Sequence, residues 1–187
     1  CKVLGSSIAM DKICSKRLAE YINVPVVKYV SVNKNDINKN LNKIKEQVEE
    51  KIGYPMIIKP NREGSSYGVV KVDTSDKFVD AINYSLKYDD TILIEKYIDD
   101  RKEIECAIIE MDGKIIASTP GQIVSGNIIY DFDSKYNDDT SYTQIPAKID
   151  EKITNKIKNY AVEIFKILNL NGLARIDFFV SKNKVYF

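Results

Sequence analysis

Tyr54-Pro55-Met56-Ile57-Ile58-Lys59-Pro60-Asn61-Arg62-Glu63-Gly64-Ser65-Ser66-Tyr67-Gly68-Val69-Val70-Lys71-Val72 holds two short β-branched runs, Met56 to Ile58 and Val69 to Val72, around a loop of small residues. Gly64, Ser65, Ser66 and Gly68 let successive backbone N–H groups turn toward one oxyanion, and the two hydroxyls add donors. Lys59, just before the loop, supplies a point charge suited to phosphate. The stretch therefore predicts a strand-loop-strand anion clamp. No Gly-Lys-Ser/Thr opens a helix here, so this is not a Walker-type phosphate loop. Taken alone, the same residues also read as an ordinary solvated hairpin.

The 187 residues suffice for one large domain or two small ones with a real core. Hydrophobic content of 44% with 29% charged residues is ordinary for a globular protein, and a net charge of +1 gives no general reason to expect nucleic acid or an anionic membrane as partner. Cys1, Cys14 and Cys106 form no Cys-x-x-Cys pair, so a reduced, cytoplasmic setting is expected. The absence of histidine excludes Ser-His-Asp and Cys-His catalysis within the chain and leaves Lys, Arg, carboxylates, hydroxyls and backbone. No apolar run approaches the ~20 residues of a membrane helix. The chain starts without methionine and reaches Phe187 inside the apolar run Val185-Tyr186-Phe187, so a longer polypeptide is expected.

Apolar residues at helical spacing predict a helix from Met10 to Ile22 capped by Ser6 or Ser7, then a strand over Val26 to Val32. A second helix carries Ile37, Leu41, Ile44, Val48 and Ile52, with Asp36 as N-cap and Gly53 as stop. After the clamp come a helix from Ser75 to Tyr88, a strand from Thr91 to Ile94, and a hairpin from Glu103 to Ser118 turning at Asp112-Gly113. Further strands are expected at Gln122 to Val124 and Asn127 to Tyr130, and a loop over Asp131 to Thr143. A long helix, Asp150 to Asn169, ends at Gly172 and leads into a strand over Leu173 to Val180 with a turn at Ser181 to Asn183. The element order predicts α+β in two lobes, 1–98 and 99–187.

Two further groupings carry chemistry. Glu95-Lys96-Tyr97-Ile98, followed by Glu103, stands at the expected lobe junction. Backbone there suits a purine edge, Lys96 a phosphate, and Glu103 ribose hydroxyls, because nucleotides favour clefts between lobes. A solvated strand end reads the same way. Alternation in Arg175-Ile176-Asp177 puts both charges on one strand face, suited either to an oxyanion-plus-metal site or to a structural ion pair.

Met10-Asp11-Lys12, Ile58-Lys59-Pro60, Glu63 to Gly68, Ile94-Glu95-Lys96, Glu103 to Ala107, Tyr130-Asp131-Phe132 with Lys135-Tyr136, Ile145-Pro146-Ala147 and Gly172 to Phe179 stand in one order along the chain. In that order and spacing the sequence resembles the D-alanine–D-alanine ligases over nearly its whole length.

The resemblance implies an ATP-grasp fold, with ATP held between two α+β lobes. It implies that Lys12, Lys59 and Lys96 bind nucleotide, that Glu95 and Ile98 belong to the adenine segment, and that Glu103 takes the ribose. Glu63, Ser65 and Ser66 fall in the loop over the phosphates, and Lys135 matches a lysine that contacts the γ-phosphate. Arg175 matches the arginine that steadies the tetrahedral intermediate, and Asp177 one ligand of Mg²⁺ (or Mn²⁺). Ser65 and Tyr136 match two members of a hydrogen-bonded set that includes a glutamate of an N-terminal domain, through which the family also admits a homodimer. The implied substrates are ATP and D-alanine, joined through an acylphosphate for peptidoglycan synthesis.

The family pattern continues past the position of Phe187 with Asn-Glu-x-Asn, whose side chains complete the metal site, so the 187 residues alone are expected to fold without turnover. Phe132 stands where many relatives have tyrosine, which leaves D-serine or D-lactate open as second substrate, while Lys135-Tyr136 leans toward an amine nucleophile. A nucleotide-binding module without turnover is the alternative of a different class.

Overall fold

The computed structural model of the protein describes residues 2–124 and 142–187. They fall into two compact units: a first lobe of Met10–Ile13 and Val27–Ile98, and a second of Cys1–Ala9, Cys14–Val26 and Asp99–Phe187. The segments before Val27 therefore do not all go with the first lobe, as a single division at residue 98 expects. Ala19 and Val24 are buried in the second lobe's core with Ile8, Leu18 and Ile22 packed against it, and the Phe187 N–H donates to the Pro25 carbonyl at 2.8 Å. A helical stripe announces a buried face but not its partner.

The single helix expected over Met10 to Ile22 is two, α1 (Val3–Met10) and α2 (Lys12–Tyr21), and Ser6 and Ser7 lie inside α1 rather than capping anything. The break at Asp11 has a tertiary cause. Asn61, far along the chain and buried, accepts the Lys12 N–H on its carbonyl at 3.2 Å and the Ile13 N–H on Oδ1 at 2.9 Å. Asn61 thus caps the start of α2 in place of a local residue. At the other end Asn23, at φ 60°, closes α2, with Val24 N–H on the Ala19 carbonyl and Asn23 N–H on that of Glu20.

The first-lobe sheet contains β1 (Tyr29–Asn33), β2 (Met56–Pro60), β3 (Val70–Val72) and β4 (Thr91–Lys96), in the order β1-β4-β2-β3 and antiparallel throughout. Between β1 and β2 runs α3 (Lys34–Lys51), capped by Asn33, whose side chain accepts the Asn35 N–H at 2.9 Å; Asp36 sits in the first turn instead of at the cap. Asn40 is non-helical, and its Oδ1 accepts the Lys43 N–H, restarting the helix after a kink. A 3₁₀ turn (Ser75–Lys77) leads into α4 (Phe78–Ser85). Met56, Ile58, Ile92 and Ile94 bury one sheet face against Val48 of α3, Ile52 at its C-cap, and Phe78 and Ile82 of α4. Strand alternation sends Ile57, Lys59, Leu93 and Glu95 to the other face.

The second-lobe sheet holds β5 (Lys102–Met111), β6 (Lys114–Ala117), β7 (Gly121–Val124), β8 (Tyr142–Gln144), β9 (Leu173–Ser181) and β10 (Lys184–Tyr186), ordered β10-β9-β5-β7-β8 with β6 also paired to β5. Asp112 and Gly113, both at positive φ, make the expected two-residue turn between β5 and β6. Tyr142 and Thr143, expected in a loop, form β8 against β7, a pairing that supplies a ladder no period in the sequence announces. The strand expected at Asn127 to Tyr130 lies outside the described residues.

Ile104, Cys106 and Ile108 of β5 and Ile176, Phe178 and Val180 of β9 face α5 (Glu151–Ile167), which buries Ile153, Ile157, Ala161, Ile164 and Phe165. Each such large apolar side chain contributes ~1.5–3 kcal/mol on burial. Asn169, not Gly172, ends α5: it sits at φ 52°, with Leu170 N–H on the Phe165 carbonyl and Asn169 N–H on that of Lys166. Gly172, at φ 70°, instead turns the chain into β9. Glu103, Glu105, Arg175 and Asp177 are left on the face away from α5.

Candidate functional site

In the first lobe, β2 delivers Lys59 to the face opposite α3 and α4, where its Nζ pairs with Glu95 Oε2 at 2.7 Å. The register sets Lys59 opposite Leu93, so this is a diagonal cross-strand pair. Glu95 is only 4% exposed. The cap from Asn61 brings Lys12 to the same corner: Lys12 Nζ donates to the Asn61 carbonyl at 3.2 Å and, in a short bond, to that of Glu63 at the entrance of the loop. Burial, with the Lys59 charge second, lowers the Lys12 ammonium to a pKa of about 8. Asn61 Nδ2 in turn donates to Asp11 Oδ2 at 2.8 Å, so its side-chain amide ties Asp11 and Ile13, and its main-chain carbonyl Lys12, to the end of β2.

The loop leaves β2 through Arg62, whose Nε and Nη2 fork onto Asp89 at 3.0 and 2.6 Å. Burial alone raises the Asp89 carboxyl, but Arg62 and the Thr91 and Arg62 N–H groups hold it below its ordinary value. Ser65 (φ 48°) and Ser66 (φ 62°) both adopt the left-handed region, which few residues other than glycine enter. Gly68 (φ 71°) pins the loop's return: a Cβ there would come within 2.5 Å of Pro60 and 2.8 Å of Tyr88, and its carbonyl accepts the Ser85 hydroxyl at 2.5 Å. The loop is thus anchored at both ends, with open space where a Gly64 Cβ would stand.

Lys96 goes elsewhere. The register puts it opposite Met56, on the helix-packed face, and its Nζ donates to the Tyr54 carbonyl at 2.7 Å. Lys12, Lys59, Glu63 and Glu95 are brought together; Lys96 is not among them. In the second lobe Glu105 lies opposite Asp177, and Glu103 opposite Phe179. Arg175 forks onto Asp177, Nε to Oδ1 at 2.8 Å and Nη2 to Oδ2 at 3.0 Å, and turns Nη1 to Glu105 Oε1 at 3.2 Å. Glu103 accepts Arg101 Nη2 at 3.0 Å, and the Arg101 guanidinium lies over the Phe179 ring. Two carboxylates directly opposite one another repel, and the guanidinium offsets that repulsion.

Residues 18–187 match the family model described as D-ala D-ala ligase C-terminus. The chain belongs to the D-alanine–D-alanine ligase family. It is 41% identical over 188 residues to the D-alanine–D-alanine ligase of Acetivibrio thermocellus, covering 100% of this chain and 50% of that one. To that of Prochlorococcus marinus it is 42% identical over 185 residues, 97% of this chain and 52% of the relative. The chain spans about half the length of the curated relatives it matches. Among solved structures it is similar to the VanG D-Ala:D-Ser ligase from Enterococcus faecalis, with a TM-score of 0.86 and 29% identity over 100% of this chain and 53% of that one. It is also similar to the D-alanyl-alanine synthetase A of Vibrio cholerae, with a TM-score of 0.85 and 28% identity over 100% of this chain and 56% of that chain. The fold is that of the ATP-grasp ligases.

Three residues in these clusters were not anticipated. Asn61 and Asp11 act through contacts some fifty residues apart, which no local pattern reveals. Glu105 had a signal: strand alternation from Glu103 already puts it on the charged face. Lys135 and Tyr136 lie outside the described residues. Asp177 offers exposed carboxylate oxygens of the hard kind Mg²⁺ takes, although among the described residues no group of three or more His, Cys, Asp or Glu forms a metal cluster. Asp177 therefore fits the ion as one ligand of a larger set. No helix among the described residues is long and apolar enough to cross a membrane.

Proposed function

We propose that this chain carries the ATP-binding and phosphoryl-transfer part of a ligase that joins two D-alanines through an acylphosphate, in peptidoglycan precursor synthesis. The observation that carries the reading is Lys12, partly buried beside Lys59 at the mouth of a loop rich in small residues. An ammonium that loses basicity first to burial and then to a neighbouring lysine costs free energy in the empty protein, and a polyanion recovers it. Family membership supplies the chemistry.

In that reaction Lys12 and Lys59 take phosphate oxygens of ATP, joined by Lys135 at the γ-phosphate. Glu63, Ser65 and Ser66 belong to the covering loop, the Glu95 to Ile98 segment with Lys96 meets the adenine, and Glu103 accepts ribose hydroxyls. A carboxylate oxygen of the first D-alanine attacks the γ-phosphorus, the bond to the bridging oxygen breaks, and ADP leaves. The amine of the second D-alanine then attacks the acyl carbon, loses a proton, and expels inorganic phosphate. Arg175 donates to the oxyanion of the tetrahedral intermediate, with Ser65 and Tyr136 orienting substrate. Asp177 would hold Mg²⁺ or Mn²⁺, which when bound neutralises charge on the transferring phosphoryl group. The work left to side chains is positioning and electrostatics.

Phosphate release by the full-length protein with ATP and D-alanine, D-serine or D-lactate, with products identified by mass, tests this. D-Alanyl-D-alanine as the main product is expected. Nucleotide binding without ADP formation in any arm would overturn it in favour of a non-catalytic nucleotide-binding module.

A further inference from the structure

One member of the charged row on the second-lobe sheet has no part in the reaction just described. Glu105 sits on the central strand β5, paired on one side with Gly121 of β7 and on the other with Asp177 of β9, so its backbone is held by two ladders. Its side chain is 21% exposed, against 60% for Arg175 and 58% for Asp177. Arg175 spends its Nε and Nη2 edge on Asp177 and its Nη1 on Glu105. A divalent cation on Asp177 draws charge from the carboxylate and competes with the guanidinium for its oxygens, which weakens the fork. If Asp177 turns to the ion, the fork opens, while the bond from Nη1 lies on the other side of the guanidinium and survives.

Resting on the roles given above to Arg175 and Asp177, we propose that Glu105 is a positioning residue for Arg175. It anchors the guanidinium through Nη1 while Asp177 engages the cation, leaving Nε and Nη2 to donate to the developing oxyanion. The carboxylate suits this task because it is the less exposed of the two and is fixed to the rigid middle of the sheet. Its negative charge also offsets the local excess of positive charge once guanidinium and cation stand side by side. Glu105 touches neither substrate nor ion in this scheme.

The test uses the full-length protein with Glu105→Ala and the isosteric Glu105→Gln, which keeps an oxygen acceptor at the same place. Loss of one charge-assisted hydrogen bond at the transition state should lower kcat on the order of tenfold for Glu105→Ala, with a smaller fall for Glu105→Gln and unchanged ATP affinity. In an Arg175→Ala background Glu105→Ala should cause no further fall, since its effect passes through the arginine. A readout independent of turnover comes from ¹⁵N-arginine NMR with Mg²⁺ and ADP. The Arg175 Nε–Hε signal should stay sharp in the wild type and broaden in Glu105→Ala. An undiminished kcat in Glu105→Ala, equal falls in both backgrounds, or an equally sharp signal in the variant would overturn the proposal. A wild type that makes no dipeptide would defeat the functional reading, and the NMR comparison would still decide the role of Glu105.

Discussion

Lys12 should take up a proton when the protein binds ATP at alkaline pH. Burial, with the neighbouring Lys59 charge second, lowers its ammonium from 10.5 to about 8. At pH 8.5 about three-quarters of Lys12 is then neutral, and at pH 7 about a tenth. A phosphate placed on Nζ favours the charged form, so binding should draw in roughly 0.7 proton at pH 8.5 and roughly 0.1 at pH 7. A phosphate with a second pKa near ~6 is already ionised at pH 8.5 and adds little to the count. Calorimetric titrations at one pH in buffers of different ionisation enthalpy give the number as a slope, and Lys12→Met should reduce it to near zero. An equal slope in Lys12→Met, or proton release in the wild type, would refute the reasoning. Stability carries the complementary signature. With the folded pKa below the unfolded one, the unfolded chain binds more protons between about 8 and 10.5, so stability rises with pH across that window. Below it the folded protein bears the full cost of the charged amine, on the order of 1–2 kcal/mol after solvent screening, and Lys12→Met should flatten the profile.

Lys59→Met should weaken ATP binding by ~1.5–3 kcal/mol by calorimetry. Because it also strips the ammonium from buried Glu95, it should lower the melting temperature, which a merely solvent-facing lysine would not do. Gly68→Ala forces a Cβ against Pro60 and Tyr88 at positive φ and should cost ~1–3 kcal/mol in urea unfolding, whereas Gly64→Ala, with open space around it, should cost far less. Asn61→Ala leaves the Ile13 N–H without its acceptor and should destabilise the first lobe by ~1–3 kcal/mol in urea unfolding, while the main-chain carbonyl that accepts Lys12 Nζ is kept, so the proton uptake assigned to Lys12 should persist.

The sequence by itself determined the elements whose signals are local. The β-branched runs around the small-residue loop became β2 and β3, Asp112-Gly113 became a hairpin turn, and the stripe from Ile153 to Leu168 became the buried face of α5. Alternation in Arg175-Ile176-Asp177 likewise placed two charges on one face, because the period of a strand is fixed by its pleat. What depended on distant partners was decided only by the tertiary structure. Asn61 cut the first helix in two and carried Lys12 to Lys59, Val24 and Ala19 joined the second lobe's core, and Lys96 fell on the face away from Lys59. Asn169 took the helix end that a glycine three residues later was expected to supply, since a left-handed residue is chosen by where the carbonyls can be satisfied rather than by composition alone. Local periodicity records which side of an element is buried. Only packing records against what, and Lys12 comes to the loop because Asn61, some fifty residues on, bonds the start of another helix through both its carbonyl and its side chain.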